Sequence, residues 1–176
     1  VMAGRHPAKP DTEGSFAENL LGIVAGRREG DVGAAMAQAL NVSLILYAEH
    51  EFNASTFAAR VTASTLTDLH GAITAAVATL KGPLHGGANE AVAAMLLEIG
   101  RPEHVEFWLR ETLTQKRRVM GFGHRVLRQG DARSAIIQRH AERLSDLCGN
   151  HTWYQIAATL DRLMLEEKGL RPNLDF

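Results

Sequence analysis

The sequence contains little of several features that would decide its class. One of its 176 residues is a cysteine, Cys148, so no disulfide framework can form within the chain. The 19 lysine and arginine residues nearly balance the 20 aspartates and glutamates, which argues against the basic face of a nucleic-acid-binding protein. No apolar run approaches the length of a membrane span, and the opening VMAGRHPAKPDTEGS lacks the apolar core of a signal peptide. We therefore expect a cytoplasmic chain without membrane or nucleic-acid partners, which begins within a longer protein.

Hydrophobic residues, at 45%, are numerous enough for a sizeable core, and they recur at helical spacing. Ser15 and Glu18 are spaced as a capping box, and Gly26, Gly149 and Gly169 follow apolar-periodic segments as stop signals. Strand-like alternation is missing, so we predict an all-α protein of about eight helices. The predicted helices cover residues 15–26, 31–49, 55–66, 68–80, 86–99, 102–118, 132–147 and 152–168. The Ala-rich helices 55–66 and 68–80 are expected to be buried.

His85 lies in the stretch LKGPLHGGANEAV, between a Gly-Pro break and a new helix. Glycines let a ligand approach the backbone closely, and a helix N-terminus favours a neutral imidazole. A neutral imidazole can donate a hydrogen bond to a carbonyl oxygen and so stabilise an enol. The alternative is that His85 only caps the helix, and the local sequence leaves both interpretations open.

Two further histidines occupy comparable positions. His124 follows two glycines and precedes Arg125, Arg128 and Arg133, which indicates either a turn with solvated arginines or an anion site. His50 ends an apolar helix between two glutamates, where a satisfied core histidine is the commoner case. Close metal-ligand spacings such as HxxxH or paired CxxC do not occur, so a zinc site is not predicted.

The remaining candidates are weaker when each is taken alone. Asp175 follows Pro-Asn, which is typical of a turn residue. Cys148 lies near a helix C-terminus, where the helix dipole disfavours a thiolate nucleophile. The sequence contains no GxSxG, P-loop or GxGxxG motif.

Four stretches in order nevertheless resemble the citrate synthase family: ILYAEHEFNASTF, GPLHGGANEAV, MGFGHRVLRQGDAR and EEKGLRPNLDF. The resemblance covers nearly the whole chain from about Ser15. YAEHEFNASTFAARVTASTL and PNLDF are similar to the branch that includes 2-methylcitrate synthases, which use propionyl-CoA. The resemblance implies a mostly helical homodimer with two domains per subunit, and condensation of an acyl-CoA with oxaloacetate followed by thioester hydrolysis. It implies no metal or permanently bound cofactor, with the coenzyme A thioester serving as substrate.

The same resemblance assigns roles to single residues. Asp175 matches the base that removes a proton next to the thioester, and His85 matches the group that stabilises the enol. His124 would hydrogen-bond or protonate the keto oxygen of oxaloacetate, while His50 and Arg133 would bind oxaloacetate. Contacts with coenzyme A fall on Leu84, Gly121, Arg128 and Asn173.

Because of its departures from the family pattern, we expect the chain to carry only part of such an enzyme. Relatives are longer at both ends, and their C-terminal segments carry further oxaloacetate-binding arginines. GDAR also replaces the usual Asp-Pro-Arg before Arg133. We predict partial large-domain helices in residues 1–85, small-domain-like helices in residues 86–176, and a chain that is truncated at both ends and weakly active or inactive by itself. The alternative is a non-catalytic helical binding or assembly module that retains the fold.

Overall fold

The computed structural model describes residue 9 and residues 11–26, 30–48, 52–82, 85–123 and 130–176. Within this part the secondary structure is helical, apart from one antiparallel bridge between Phe122 and Pro172. The all-α prediction is confirmed. The described helices are α1 (Phe16–Val24), α2 (Gly30–Tyr47), α3 (Ala54–Ser64), α4 (Leu69–Leu80), α5 (Ala88–Ile99), a 3-10 turn (Pro102–His104), α6 (Val105–Thr114), α7 (Ser134–Cys148) and α8 (Thr152–Lys168).

Short polar side chains begin three of these helices. Ser15 and Glu18 form the predicted capping box at α1, each accepting a hydrogen bond from the backbone of the other. Asn53 and Asp68 each accept the backbone N–H of the third residue of α3 and α4. Because these contacts satisfy amides that a helix leaves unpaired, the start of each helix is set by the local sequence.

Residues with left-handed backbone conformations mark the ends of several helices. Gly149 and Gly169 end α7 and α8 in the left-handed region, as predicted, with φ of 63° and 64°. The prediction that the basic run 115–118 forms the last turn of a helix is wrong, because α6 ends at Thr114. Lys116 adopts a φ of 56°, which a continuing α-helix does not allow.

The buried core joins α5, α6 and α8. Leu160 and Val105 are fully buried, and Ile156 is 1% exposed. Burial of each such side chain contributes about 1.5–3 kcal/mol to stability. The core therefore fixes the lobe against which the C-terminal segment packs. Its buried members are Val92, Met95, Ile99, Val105, Leu109, Ile156, Leu160 and Met164.

The prediction that α3 and α4 are buried is wrong for the described chain. The two helices pack mainly against each other, so α3 contains no buried residue and α4 contains only Ala72. Their outer faces are apolar and exposed, and neither helix packs extensively against a third described helix. The exposed apolar side chains are Phe57, Val61, Leu66, Leu69, Ile73, Val77 and Leu80.

α2 and α7 pack against each other across the sequence boundary between residues 85 and 86. Arg143 of α7 donates a hydrogen bond of 2.9 Å to the side-chain oxygen of Gln38 of α2. The division into two domains at that boundary stays a prediction. None of the described helices is long and apolar enough to cross a bilayer.

Candidate functional site

The C-terminal segment is joined to a glycine-containing segment about fifty residues earlier in the chain. The backbone N–H of Asn173 donates to the carbonyl oxygen of Gly121 at 2.8 Å. Its side-chain amide donates to the carbonyl oxygen of Gly123 at 2.9 Å. Together with the Phe122–Pro172 bridge, these bonds bring Gly121 and Asn173 together, the two described residues that were predicted to contact coenzyme A.

Gly121 has a backbone requirement that explains its identity. Its φ is 81°, a conformation that residues with a side chain rarely adopt. A Cβ at this position would also lie 2.7 Å from the Cβ of Phe176. The ring of Phe176 in turn packs against that of Phe122, with centroids 4.5 Å apart. The close approach of the two segments therefore depends on this glycine.

Asp175 lies in the predicted turn and is held by groups from two helices. Its backbone N–H donates to the side-chain oxygen of Asn173 at 3.0 Å. The hydroxyl of Tyr47, at the end of α2, is 3.1 Å from Asp175 Oδ1 and 3.0 Å from the carbonyl oxygen of Leu174. Its single proton serves one acceptor at a time. Asn89 of α5 donates to the same hydroxyl oxygen at 3.2 Å.

The environment keeps the Tyr47 hydroxyl protonated. Burial is the largest effect, and the nearby negative charge of Asp175 is the next, so the pKa of Tyr47 rises from 10.0 to about 12. At neutral pH the phenol can therefore act as a hydrogen-bond donor to Asp175. The Asp175 carboxylate is therefore contacted directly by Tyr47 of α2, whose hydroxyl is in turn held by Asn89 of α5.

Arg133 and Asp131 form a bidentate ion pair just before α7, which begins at Ser134. Nε and Nη2 of the guanidinium donate to the two carboxylate oxygens at 2.9 and 2.8 Å. This hydrogen bonding outweighs burial and lowers the pKa of Asp131, while the same pairing raises the pKa of Arg133. Nη1 also donates to the carbonyl oxygen of Leu46 in α2, at 3.2 Å. The position of this cation is thus fixed from two sides.

His85 contacts the start of α3. Its Nε2 lies 3.2 Å from the backbone nitrogen of Ser55, which donates, and 2.9 Å from the Ser55 hydroxyl oxygen. An Nε2 that accepts a backbone N–H carries no proton, so the hydrogen bonding assigns the neutral ring the Nδ1–H tautomer. Asn53, the cap of α3, is the second acceptor available to the Ser55 hydroxyl, at 2.8 Å. This contact fits the hydrogen-bond donor suggested by the sequence.

The structure thus describes five of the predicted site residues: His85, Gly121, Arg133, Asn173 and Asp175. Three of them, Arg133, Asn173 and Asp175, lie around the backbone of Leu174. His85 precedes α5, the helix that provides Asn89 to Tyr47. The other predicted residues, His50, Leu84, His124 and Arg128, lie outside the described residues, and their roles stay predictions.

Comparison with known proteins adds the family. The model of the citrate synthase C-terminal domain matches residues 1–176, the whole chain. The chain belongs to the citrate synthase family. Citrate synthase 2 of Bacillus subtilis is 43% identical over 176 residues, which are 100% of this chain and 46% of that relative. The 2-methylcitrate synthase of Mycobacterium tuberculosis is 44% identical over 173 residues, 98% of this chain and 43% of that relative.

Solved structures agree on the fold of this citrate synthase family member. The crystal structure of citrate synthase from Pyrobaculum aerophilum superposes with a TM-score of 0.83 at 35% identity, over 98% of this chain and 44% of that one. The resemblance suggested by the four sequence motifs is therefore confirmed. The chain spans less than half the length of these relatives.

Sequence reasoning missed four residues that contact the predicted site: Tyr47, Ser55, Asn89 and Asp131. Each lies inside a quoted motif, so proximity in the sequence was an available signal. Tyr47, however, resembles one more apolar helix position, and Ser55 resembles an ordinary residue of the first helical turn. Their contacts with Asp175 and His85 depend on tertiary packing between distant segments.

Proposed function

We propose that this chain carries part of the active site of an enzyme that condenses an acyl-CoA with oxaloacetate. Hydrolysis of the thioester follows and gives citrate or 2-methylcitrate. The observation that carries the proposal is the meeting of the Asp175 carboxylate, the Tyr47 hydroxyl and the Arg133 guanidinium around the Leu174 backbone. An oriented base beside an anion-binding cation is what this carbon–carbon bond formation requires.

Asp175 is proposed to remove a proton from the acyl carbon next to the thioester. That carbon is a very weak acid, so a carboxylate alone is an insufficient base. A hydrogen bond to the thioester oxygen stabilises the developing enol and supplies the difference. His85 is the proposed donor, because its Nε2 is engaged by Ser55 and the proton lies on Nδ1. His124 is proposed to donate to the keto oxygen of oxaloacetate as the new bond forms.

Arg133 is proposed to bind a carboxylate of oxaloacetate, together with His50. Guanidinium groups match carboxylates geometrically and stay charged at all relevant pH values. Coenzyme A is proposed to be the thioester carrier, with contacts at Gly121 and Asn173 and, outside the described residues, at Leu84 and Arg128. No permanently bound cofactor is part of the proposal.

The experiment is a thiol-release assay with oxaloacetate and either acetyl-CoA or propionyl-CoA, on the complete polypeptide that carries these residues. We expect thiol release, and a loss of at least ~100-fold in kcat for Asp175→Asn. Asp146→Asn serves as the matched control, because this carboxylate lies 67% exposed on α7. Release that is absent in the parent, or unaffected by Asp175→Asn, would sink the proposal.

The same assay addresses the acyl group. Relatives named citrate synthase and 2-methylcitrate synthase are almost equally similar to this chain, at 43% and 44% identity. One methylene is worth only about 1–3 kcal/mol in a pocket, so the ratio of the two kcat/KM values should fall within roughly 10- to 200-fold. A larger ratio would indicate a polar determinant rather than pocket size.

We also propose that a second copy of the chain covers the α3–α4 face and forms a homodimer. Over these two helices the only Lys, Arg, Asp or Glu residue is Arg60, while Val61 is 49% and Val77 is 59% exposed. A self-complementary apolar patch is the usual basis of a two-fold dimer. Sedimentation should report a dimer, and Val61→Asp or Val77→Asp should shift it to monomer. An unchanged mass would overturn this assembly.

The competing candidate is a non-catalytic helical module that retains the fold for binding or assembly. The observation in its favour is the apolar α3–α4 face, whose side chains are exposed within the described residues. This candidate predicts self-association without thiol release, even in the complete polypeptide. A cytoplasmic location stays a prediction from the single cysteine.

A further inference from the structure

Asp131 makes contacts that its neighbours in the sequence do not explain. Its side chain is 3% exposed and accepts four hydrogen bonds. Oδ1 accepts from the backbone N–H and Nε of Arg133, at 3.0 and 2.9 Å. Oδ2 accepts from Nη2 of Arg133 at 2.8 Å and from the backbone N–H of Leu174 at 3.2 Å. One oxygen is therefore shared between the side chain of Arg133, just before α7, and a backbone 43 residues away from Asp131.

A purely structural role accounts for only part of this pattern. Asp131 precedes α7, and an aspartate in a turn commonly accepts the backbone N–H two residues along the chain. The contact between Oδ1 and the backbone N–H of Arg133 fits such a local turn. The contact of Oδ2 with Leu174 does not, because the C-terminal segment lies outside this turn. A local turn needs one acceptor oxygen, whereas this carboxylate uses both.

The two partners of Oδ2 correspond to two parts of the proposed reaction. The Arg133 guanidinium is the proposed binding group for oxaloacetate. The Leu174 amide belongs to the turn that continues into Asp175, the proposed base. Because the two share one oxygen, a bound carboxylate that weakened the bond between the guanidinium and Oδ2 would alter the hydrogen bond that holds this turn. Hydrogen bonds to a charged acceptor are the stronger class, so such a change is measurable.

We propose that Asp131 is a positioning residue that sets the Arg133 guanidinium and the Leu174–Asp175 backbone in one arrangement, so that occupancy of the anion site is transmitted to the base. This inference rests on the proposed function, which assigns oxaloacetate binding to Arg133 and proton removal to Asp175. Its geometry can be tested without turnover. The distinguishing variant is Asp131→Ser, since a serine oxygen can still accept the Arg133 backbone N–H, but the side chain is too short to bond both the guanidinium and Leu174.

The first measurement is hydrogen exchange of the Leu174 amide by NMR on the 176-residue chain, with and without oxaloacetate. In Asp131→Ser we expect exchange of this amide to accelerate by roughly 10-fold or more and to respond no longer to oxaloacetate. Asp131→Asn, which keeps the volume, should give the same direction. Glu166→Gln is the matched control, because it removes the carboxylate of another Arg–carboxylate pair, Arg162–Glu166, which is exposed. Unchanged exchange in both Asp131 variants would overturn the inference.

The second measurement is steady-state kinetics on the complete polypeptide. We expect Asp131→Ser to raise the KM for oxaloacetate and to lower kcat, each by roughly 10- to 100-fold. A rise in KM with unchanged kcat would show that Asp131 supports only Arg133. Parent values of both KM and kcat in Asp131→Ser would show that Asp131 only stabilises the local turn before α7. Either outcome contradicts the inference. Lack of turnover in the parent would refute the proposed function instead, and the exchange experiment would still decide the coupling.

Discussion

The ionisation of Tyr47 provides a direct test of the geometry around Asp175. Its pKa of about 12 lies above the ordinary 10.0, first because of burial and then because of the Asp175 charge. The folded state thus favours the neutral phenol. That contribution to stability is complete below pH 10 and is lost as the pH rises toward 12. The upper bound is about 2.7 kcal/mol, but because Tyr47 is 41% exposed, solvent screening reduces it to about 1 kcal/mol.

The assay is ultraviolet titration of tyrosinate absorbance. The chain has only one other tyrosine, Tyr154, so subtraction of the curve for Tyr47→Phe isolates the residue of interest. The pKa of Tyr154 is also raised, mainly by burial. In Asp175→Asn the Tyr47 transition should move toward lower pH, because the negative charge is gone, but it should stay above its ordinary value, because burial remains. Glu166→Gln should leave the curve unchanged.

Two results would refute this reasoning. A Tyr47 transition near pH 10 in the parent would mean that the hydroxyl is solvated and does not reach Asp175. A transition that is raised but insensitive to Asp175→Asn would attribute the whole effect to burial. In either case the carboxylate would have to be oriented by the Asn173 turn alone.

Three further predictions concern other contacts of the site and core. Ser55→Ala should lower kcat only about 2- to 10-fold, because the backbone N–H still fixes the tautomer of His85, whereas His85→Ala should cost at least ~100-fold; the thiol-release assay compares them. Ile156→Ala should lower the free energy of unfolding by about 2–5 kcal/mol in urea, since the residue is 1% exposed, and a loss below ~1 kcal/mol would contradict the packing. Gly86→Ala would place a Cβ against the carbonyl oxygen of Leu80, so it should cost about 1–3 kcal/mol and lower kcat through displacement of His85, and full activity would contradict the crowding.

Helix boundaries were predictable because their causes are local. The capping box of Ser15 and Glu18 and the stops at Gly149 and Gly169 depend on residues within one turn. The end of α6 was missed because no glycine marks it, and the chain ends the helix by placing Lys116 in the left-handed region. Such strain is supported by surrounding structure, which a local pattern does not contain.

Burial was harder to predict than helicity. The Ala-rich composition of α3 and α4 predicted burial, which the described chain does not show. Composition did not reveal which surface would cover them, and within the described chain they pack mainly against each other. Hydrophobic composition predicts that a surface favours burial. Which other surface buries it depends on the whole assembly.

At the site, too, residue types were predictable from the sequence, whereas the contacts between distant residues were not. Family motifs indicated Arg133 and Asp175, because residue type and order are visible in the sequence. The hydrogen bond from Tyr47 to Asp175 spans 128 residues, and that from Leu174 to Asp131 spans 43. No local pattern specifies pairs so far apart.

The hydrogen bonds between residues 121–123 and residues 171–173 have a consequence for exchange of parts between relatives. Gly121 admits the C-terminal segment only at a fixed distance, and Asn173 bonds the backbone on both sides of Phe122. A chimera that takes only one of these two segments from a relative would pack it against a segment from a different protein. The two segments, although separated by two helices in the sequence, therefore form a single unit for recombination, and both should be exchanged together.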